Sequence, residues 1–352
     1  MKSLFHFLNV KDGDCSVIEH PSGHVSVIDV CNARHLSIDQ LLTNQVDKIL
    51  AKSARAVSGN FQQKKYPVNP IKYLKDRGIN SVFRFLLTHP DMDHMDGIKD
   101  FFETFAPVNF YDTNNTKEMH WKSGSPYRIE DWEFYKSLRD AHPQTNPKRI
   151  PIYSGDDAPY RTQDWDRNRP GDAFYCLAPT PELVMQANES AGDYHDASYV
   201  ILYRSASGRI LFSGDSHDAT WEHIIENFED EVRDVDLLIA PHHGRDSDRD
   251  YQFLNVVNPK MTFFGNANSE HLAYDPWRNR GLEVVTNNQA NCMVVDTSGP
   301  HLKLFVTHQT FAREKNPNTY WSPSHNAWFV KDITGWDDRK VSAAQSLYWH
   351  FK

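Results

Sequence analysis

Residues 81–97 read SVFRFLLTHPDMDHMDG, and the change of character in the middle of this stretch decides the architecture. SVFRFLLT is a short, mostly apolar run of the kind a buried β-strand makes. It passes directly into His89-Pro90-Asp91-Met92-Asp93-His94, after which MDGIKDFFETFA resumes a helical period. The unit is strand, charged loop, helix, with four metal-ligand types of side chain at the mouth of a core element. Asp91, Asp93 and Asp96 crowd like charges that repel one another unless a cation sits among them, and a divalent metal is the simplest remedy. On an extended backbone His89 and Asp91 point the same way, whereas Asp93 and His94 lie where the chain turns into a helix and can face a second ion. A helix N-cap accounts for one such aspartate, but not for the hexad as a whole.

Outward from this unit, the start of the chain (LFHFLNV, CSVIEH, VSVIDV, with turns at Lys11-Asp12-Gly13 and Pro21-Ser22-Gly23-His24) predicts antiparallel hairpins. Residues 36–77 predict a long helix over LSIDQLLTNQVDKILAKSARAV, a loop near Tyr66-Pro67 and a shorter helix ending at Gly78. Residues 112–172, rich in Pro, Asp, Tyr and Trp, show little periodicity and read as an excursion from the core that covers a functional site. Strand patterns return at SYVILYR, RILFSGD, DVDLLIAP, KMTFFG, EVVTNN, CMVVDTS and HLKLFVT, with helices over WEHIIENFEDEV and near YQFLNVV and WRNRGL. The tail after Phe311 carries Trp321, Trp328, Trp336 and Trp349 without a clear period.

Two further groups end strands: Asp215 after RILFSG, and His242-His243-Gly244 after DLLIAP. Adjacent residues on an extended chain face opposite ways, so one imidazole is expected to be a direct ligand. His243 is that choice, and His242 takes a supporting or substrate role.

The order H-x-D-x-D-H, G-D, H-H-G resembles the metallo-β-lactamase fold, and within it the hydrolase domain of the ComEC DNA-uptake proteins. NVKDGDCSVIEHPSG with VSVIDV, THPDMDHMDG, HDASYVILYRSASGRILFSGD, APHHGRDSD and FFGNANSEHLAYD leading to VTNNQANCMVVDTSG carry the likeness, over about 1–110 and 174–307. The resemblance implies an αββα sandwich, in the α/β class, hydrolysing a phosphodiester or another ester. Residues 1–310 would form the hydrolase domain with an insertion at about 112–172, and 311–352 an aromatic-rich extension packed on it. His89 and Asp91 would hold one metal, Asp93, His94 and His243 the other, and Asp215 would bridge. This chain departs from the pattern at Arg245, where Ser is usual, at Asp96-Gly97, where a glycine pair is usual, and at His195, where Asn is common. His195 either restores a ligand or sits in a surface turn.

Asp91, Asp93 and Asp215 with two divalent ions and a bridging hydroxide sum to zero charge. A metal-bound hydroxide exists near neutral pH because the ion lowers the pKa of water to ~7. An oxygen-rich set makes Mn a competitor of Zn for one or two sites. Asp93 and His242 are the candidates for a catalytic role, Arg245 and His271 for phosphate binding, and Asp14 and Asp29 for hydrogen bonds that orient the ligands. The expected function is a metal-dependent phosphodiesterase or nuclease. An esterase, lactonase or amidase on the same centre, and a non-catalytic metal-stabilised binding module, are the alternatives.

With 352 residues and 39% hydrophobic the chain can build a sizeable core, which excludes disorder and miniprotein scaffolds. A net charge of -9 excludes a broadly cationic coat for nucleic acid, so a nucleic-acid or nucleotide substrate would meet a local site. No stretch reaches the roughly 20 apolar residues of a membrane span, and no signal peptide is legible. The cytoplasm is the expected compartment. Cys15, Cys31, Cys176 and Cys292 are scattered, so neither a disulfide nor a thiolate metal site is expected.

Overall fold

Phe85 and Leu86 are neighbours in sequence and belong to different layers. In the computed structural model, which describes residues 2–53, 61–142, 145–157, 172–190, 193–267 and 271–333, two sheets face each other. The first takes β1 (Leu4–Phe7), β2 (Ser16–Glu19), β3 (Val25–Ile28), β4 (Arg84–Leu86), β5 (Asn109–Tyr111) and β6 (Lys148–Arg149). The second takes β7 (Phe174–Ala178), β8 (Val200–Ser205), β9 (Gly208–Phe212), β10 (Leu237–Ile239), β11 (Met261–Phe264) and β12 (Val284–Thr286). The chain then returns to the first sheet with β13 (Met293–Asp296), β14 (Lys303–Val306), β15 (Trp321–Ser322) and β16 (Ala327–Asp332). The orders are β15-β16-β14-β13-β1-β2-β3-β4-β5-β6 and β12-β11-β10-β9-β8-β7.

Because side chains alternate across a strand, each sheet sorts its apolar residues onto two faces. Phe5, Phe7, Ile18, Leu86, Ile210, Phe212, Leu237 and Phe263 meet between the sheets. Val17, Val27, Phe85 and Phe110 point outward and pack under helices α2 (Pro70–Asp76), α3 (Ile98–Phe105) and α4 (Ile129–Arg139). Leu202, Leu211 and Leu238 do the same on the other side, against Trp221 and Ile224 of the helix Asp218–Val232. The result is the expected four-layer αββα sandwich. Helix α3 shows how the sequence fits it: Ile98, Phe101, Phe102 and Phe105 are all buried, one stripe at helical spacing.

The strand pairs β3-β4-β5 and β9-β10-β11-β12 are parallel. Their carboxyl ends lie along one edge, the place where open α/β sheets present side chains to ligands. Asp29 follows β3, His89 follows β4, Asp215 follows β9, and the His242-His243 pair follows β10.

The segment expected to lack structure contains α4, whose Trp132 and Tyr135 belong to the outer core of the first sheet. Its period is hidden because buried Asp131 and Arg139 share that face, Asp131 accepting from Arg128 Nε at 2.9 Å and Lys99 N at 3.2 Å. Strand β7 escaped notice because FYCLA is buried throughout and does not alternate. After Gln309–Lys315, a helix, the hairpin β15-β16 pairs onto β14 and extends the first sheet, with Trp321 against Trp328 at 5.4 Å. Trp336 and Trp349 lie outside the described residues. The long helix α1 spans Ile38–Ser53, but Ile38, Leu42, Val46 and Ile49 are exposed rather than packed inward. All four cysteines are buried. Among the described residues no helix is long and apolar enough to cross a membrane. A cavity of about 570 Å³ lined by Tyr66, Tyr73, Trp321 and Trp328 opens beside α2, and none of the histidines and aspartates gathered at the sheet edge lines it.

Two buried histidines set an acid limit on this fold. His6 bonds Glu19 Oε1 through Nε2 at 2.9 Å, and His20 bonds Ser26 Oγ at 2.8 Å. Burial pushes their pKa values down to about 4 and about 3. The unfolded chain binds protons below about pH 6.5 while these folded rings do not, so stability falls as pH drops through that range. Each ring should cost about 2–3 kcal/mol by about pH 4.5. Denaturant melts at neutral pH and at that pH check this, and equal unfolding free energies would refute it.

Candidate metal centre

The carboxylate of Asp215, 2% exposed, lies at the middle of the gathered edge. His94 Nε2 lies 3.3 Å from its Oδ1, while Nε2 of His242, His89 and His243 lie 3.6, 3.8 and 3.8 Å from its Oδ2. Asp93 Oδ2 is 3.4 Å from His243 Nε2, and Asp91 Oδ2 is 3.8 Å from His89 Nε2. At this edge ligand atoms converge in three groups, His89, His195 and Asp215; Asp93, His94 and His243; and Asp14, Asp215 and His243, while a fourth group among the described residues, His35, Asp100 and Glu103, is mostly exposed. His195, at the start of a 3-10 turn, lies with its ring 5.5 Å from His89 and 4.9 Å from His242.

Nε2 of His89, His94 and His243 and Oδ1 of Asp215 are buried and make no hydrogen bond. Buried polar atoms without partners are rare, because each forfeits its hydration. Donors that share a tetrahedral ion at ~2.1 Å lie ~3.4 Å apart, close to the separations seen here. Imidazole and carboxylate donors therefore fit a divalent metal, in two adjoining halves that meet at Asp215.

Charge tells the same story. Burial would push His94 and His243 toward neutrality, but the carboxylates on both sides of each ring overcome it. His94 is held well above its usual pKa, and His243 is pushed up to about 10, chiefly by Asp14 and Asp215. Protons on these rings stand where a cation would be stabilised. His89 is brought down to about 3 by burial, with His94 adding to the effect, so its lone pair is free for an ion.

The supporting shell is built by short contacts. Asp29, in the left-handed region at φ 56°, accepts from Thr88 N and Thr88 Oγ1 at 2.7 Å and from His94 Nδ1 at 2.8 Å. Asp14, in the β1-β2 loop, stands 3.0 Å from His243 Nδ1. Arg249 donates to the Asp215 carbonyl at 2.7 Å and the Ser216 carbonyl at 2.9 Å, and its NH1 lies 3.5 Å from His242 Nδ1. Lys117, from the inserted segment, is salt-bridged to Asp91 Oδ1.

The His pair departs from the extended geometry on which one imidazole was chosen. His242 and His243 have φ of 53° and 58°, and Gly244 follows at 82°. This left-handed turn swings both rings to the same carboxylate, at a cost of order 1–3 kcal/mol per strained residue. A side chain at Gly244 would strike the ring of Phe264, 2.8 Å from its Cε2. Arg245 packs beside this turn with its Nε buried and without a hydrogen bond, while His271 is exposed and does not join the converging ligand atoms.

Lys117, Thr88 and Arg249 escaped the sequence reading. Thr88 directly precedes the hexad and was within reach, since a strand-end hydroxyl beside ligands has an acceptor to satisfy. Lys117 and Arg249 carry no local signal, because their partners are fixed only by tertiary packing.

Comparison of the sequence with known protein families and with curated proteins gives no match. Among solved structures, the metallo-β-lactamase fold protein YhfI from Bacillus subtilis is similar, with 11% identity and a TM-score of 0.41 over 84% of this chain and 99% of that one. An isothiocyanate hydrolase from Delia radicum gut bacteria shares 13% identity, with a TM-score of 0.42 over 83% and 98%. A metal-dependent hydrolase of the β-lactamase superfamily shares 11%, with a TM-score of 0.44 over 81% and 96%.

Proposed function

We propose that the protein is a metal-dependent hydrolase that cleaves a phosphodiester in nucleic acid or a nucleotide. The observation that carries this reading is the convergence of three buried, unbonded imidazole nitrogens on the Asp215 carboxylate, His94 toward its unbonded Oδ1 and His89 and His243 toward Oδ2. Asp93, His94 and His243 would hold one ion, and His89, Asp91 and His195 the other, with Asp215 shared. Divalent ions so held supply Lewis acidity and bring a water pKa down to ~7.

The protein's own groups then have defined tasks. Asp29 fixes the His94 ring by a hydrogen bond at Nδ1, and the Asp14 carboxylate lies 3.0 Å from His243 Nδ1, so the Nε2 atoms of both rings are left for the centre. His242 is pushed down to about 4, mainly by burial, and so is neutral at neutral pH. A guanidinium only donates, so Nδ1 facing Arg249 is the acceptor and Nε2 carries the proton. That N–H is available to a substrate oxygen at the rim. Arg245 adds positive charge for a phosphate, and the sequence likeness to the ComEC hydrolase domain supports this substrate class.

His243→Ala should lose metal, whereas His242→Ala should retain metal content and lose about 10²-fold in turnover, the size of a positioned hydrogen-bond donor. The reverse pattern would exchange their roles. The reading as a whole is tested by metal analysis together with hydrolysis of bis-p-nitrophenyl phosphate and p-nitrophenyl acetate, with added Mn(II) or Zn(II). Diester cleavage dependent on metal is expected. Cleavage of the acetate alone would move the protein to the carboxyl esterases, and no bound metal with no activation would end the metal reading.

A further inference from the structure

The two halves of the centre are built unequally. In the half formed by Asp93, His94 and His243, both imidazoles are backed by carboxylates, Asp29 at 2.8 Å and Asp14 at 3.0 Å. Such partners raise the basicity of a ligating ring and fix its direction. In the half formed by His89, Asp91 and His195, the ring of His89 is backed, among the described residues, by the Thr88 hydroxyl at 3.2 Å. His195 is backed by Asp193, at 3.0 Å, but that carboxylate is largely exposed and its field is screened by solvent.

Asp91 adds a second asymmetry. Its Oδ1 is taken by the Lys117 ammonium, and its Oδ2 faces His89 Nε2 at 3.8 Å. Lys117 is placed for this contact from both ends. Its backbone N donates to Asn115 Oδ1 at 3.2 Å, and its carbonyl accepts from Arg139 NH1 at 2.7 Å. The ammonium lies 5.4 Å from the Tyr194 ring centroid, an attraction that helps hold it, and its side chain is 12% exposed. A lysine so enclosed acts at short range and through little water.

We propose that Lys117 sets the metal affinity of the His89 half. By occupying Oδ1 it leaves Asp91 a single oxygen for an ion, and its positive charge opposes a second cation nearby. The Asp91-Lys117 pair thus offers a donor of no net charge, although the ligand itself is an aspartate. The two halves fill in order, the Asp93 half first and the His89 half after it. This inference rests on the metal reading above, since without ions at the centre Lys117 has nothing to oppose.

The test is calorimetric titration of the full-length, metal-stripped protein with Mn(II) alone, followed by electron paramagnetic resonance of the bound ion. Wild-type protein should bind in two steps whose dissociation constants differ by at least about tenfold. Lys117→Met should tighten the weaker step by about tenfold or more and leave the tighter one unchanged, because both Asp91 oxygens become available. Lys117→Arg keeps the charge and should titrate like wild type, and a thermal melt of each variant shows that the fold is retained. A weaker step that moves less than about twofold in Lys117→Met, or a wild type whose two steps are equal, overturns the proposal while leaving the metal centre in place. Absence of any Mn(II) binding in all three proteins overturns the proposal and the metal reading together.

Discussion

Asp215→Ala is expected to empty both halves of the centre at once and to lower kcat/KM on a phosphodiester by roughly 10³-fold or more. Among the described residues no other carboxylate faces His89, His94, His242 and His243 together, at 3.3–3.8 Å. Its removal takes away the shared donor and one of the negative charges that favour a cation beside His94 and His243. Elemental analysis should find neither ion at stoichiometric level, and circular dichroism should show the sandwich intact. An Asp215→Ala protein that keeps its metal and turns over within tenfold of wild type would remove Asp215 from the shared position.

Gly13→Ala is expected to act nearly as strongly from outside the ligand set. A Cβ on Gly13 would overlap the Asp93 carbonyl oxygen and stand 2.9 Å from both the Asp93 carbonyl carbon and Cys31 Cβ. The obstacle is backbone rather than the end of a flexible side chain, so either the β1-β2 loop or the ligand loop must move. We expect a loss of about 3 kcal/mol or more in stability, the range of overpacked buried sites. Metal affinity should fall most in the Asp93 half. A denaturant melt unchanged within about 1 kcal/mol, with normal metal content, would contradict this.

Gly13 also shows how much was legible in the sequence. It reads as an ordinary turn residue in Lys11-Asp12-Gly13, and the turn is there, but the close approach that needs a glycine involves a loop eighty residues away. The hexad, Asp215 and the His pair were legible because each ends an apolar strand, and strand ends in a layered fold share an edge. The αββα layering was implied by the family resemblance of those motifs, and the alternation that separates Phe85 from Leu86 is how the strands carry it. The orientation of His242 was not legible, since the left-handed turn reverses what an extended chain implies and only Gly244 hints at it. Helix α4 was hidden by buried Asp131 and Arg139, whose burial depends on partners that composition cannot name.

The centre draws Asp14 from the first hairpin, His89 to His94 from the next parallel unit, and Asp215 and His243 from the opposite sheet. Residues so far apart meet only after most of the chain has been ordered, because closing long loops costs entropy before any contact returns it. A refolding chain therefore offers an ion no finished cage until both sheets have docked. Capture of metal is a late event in folding, and the rate at which added ion becomes bound during refolding reports the docking of the two sheets rather than the formation of either one.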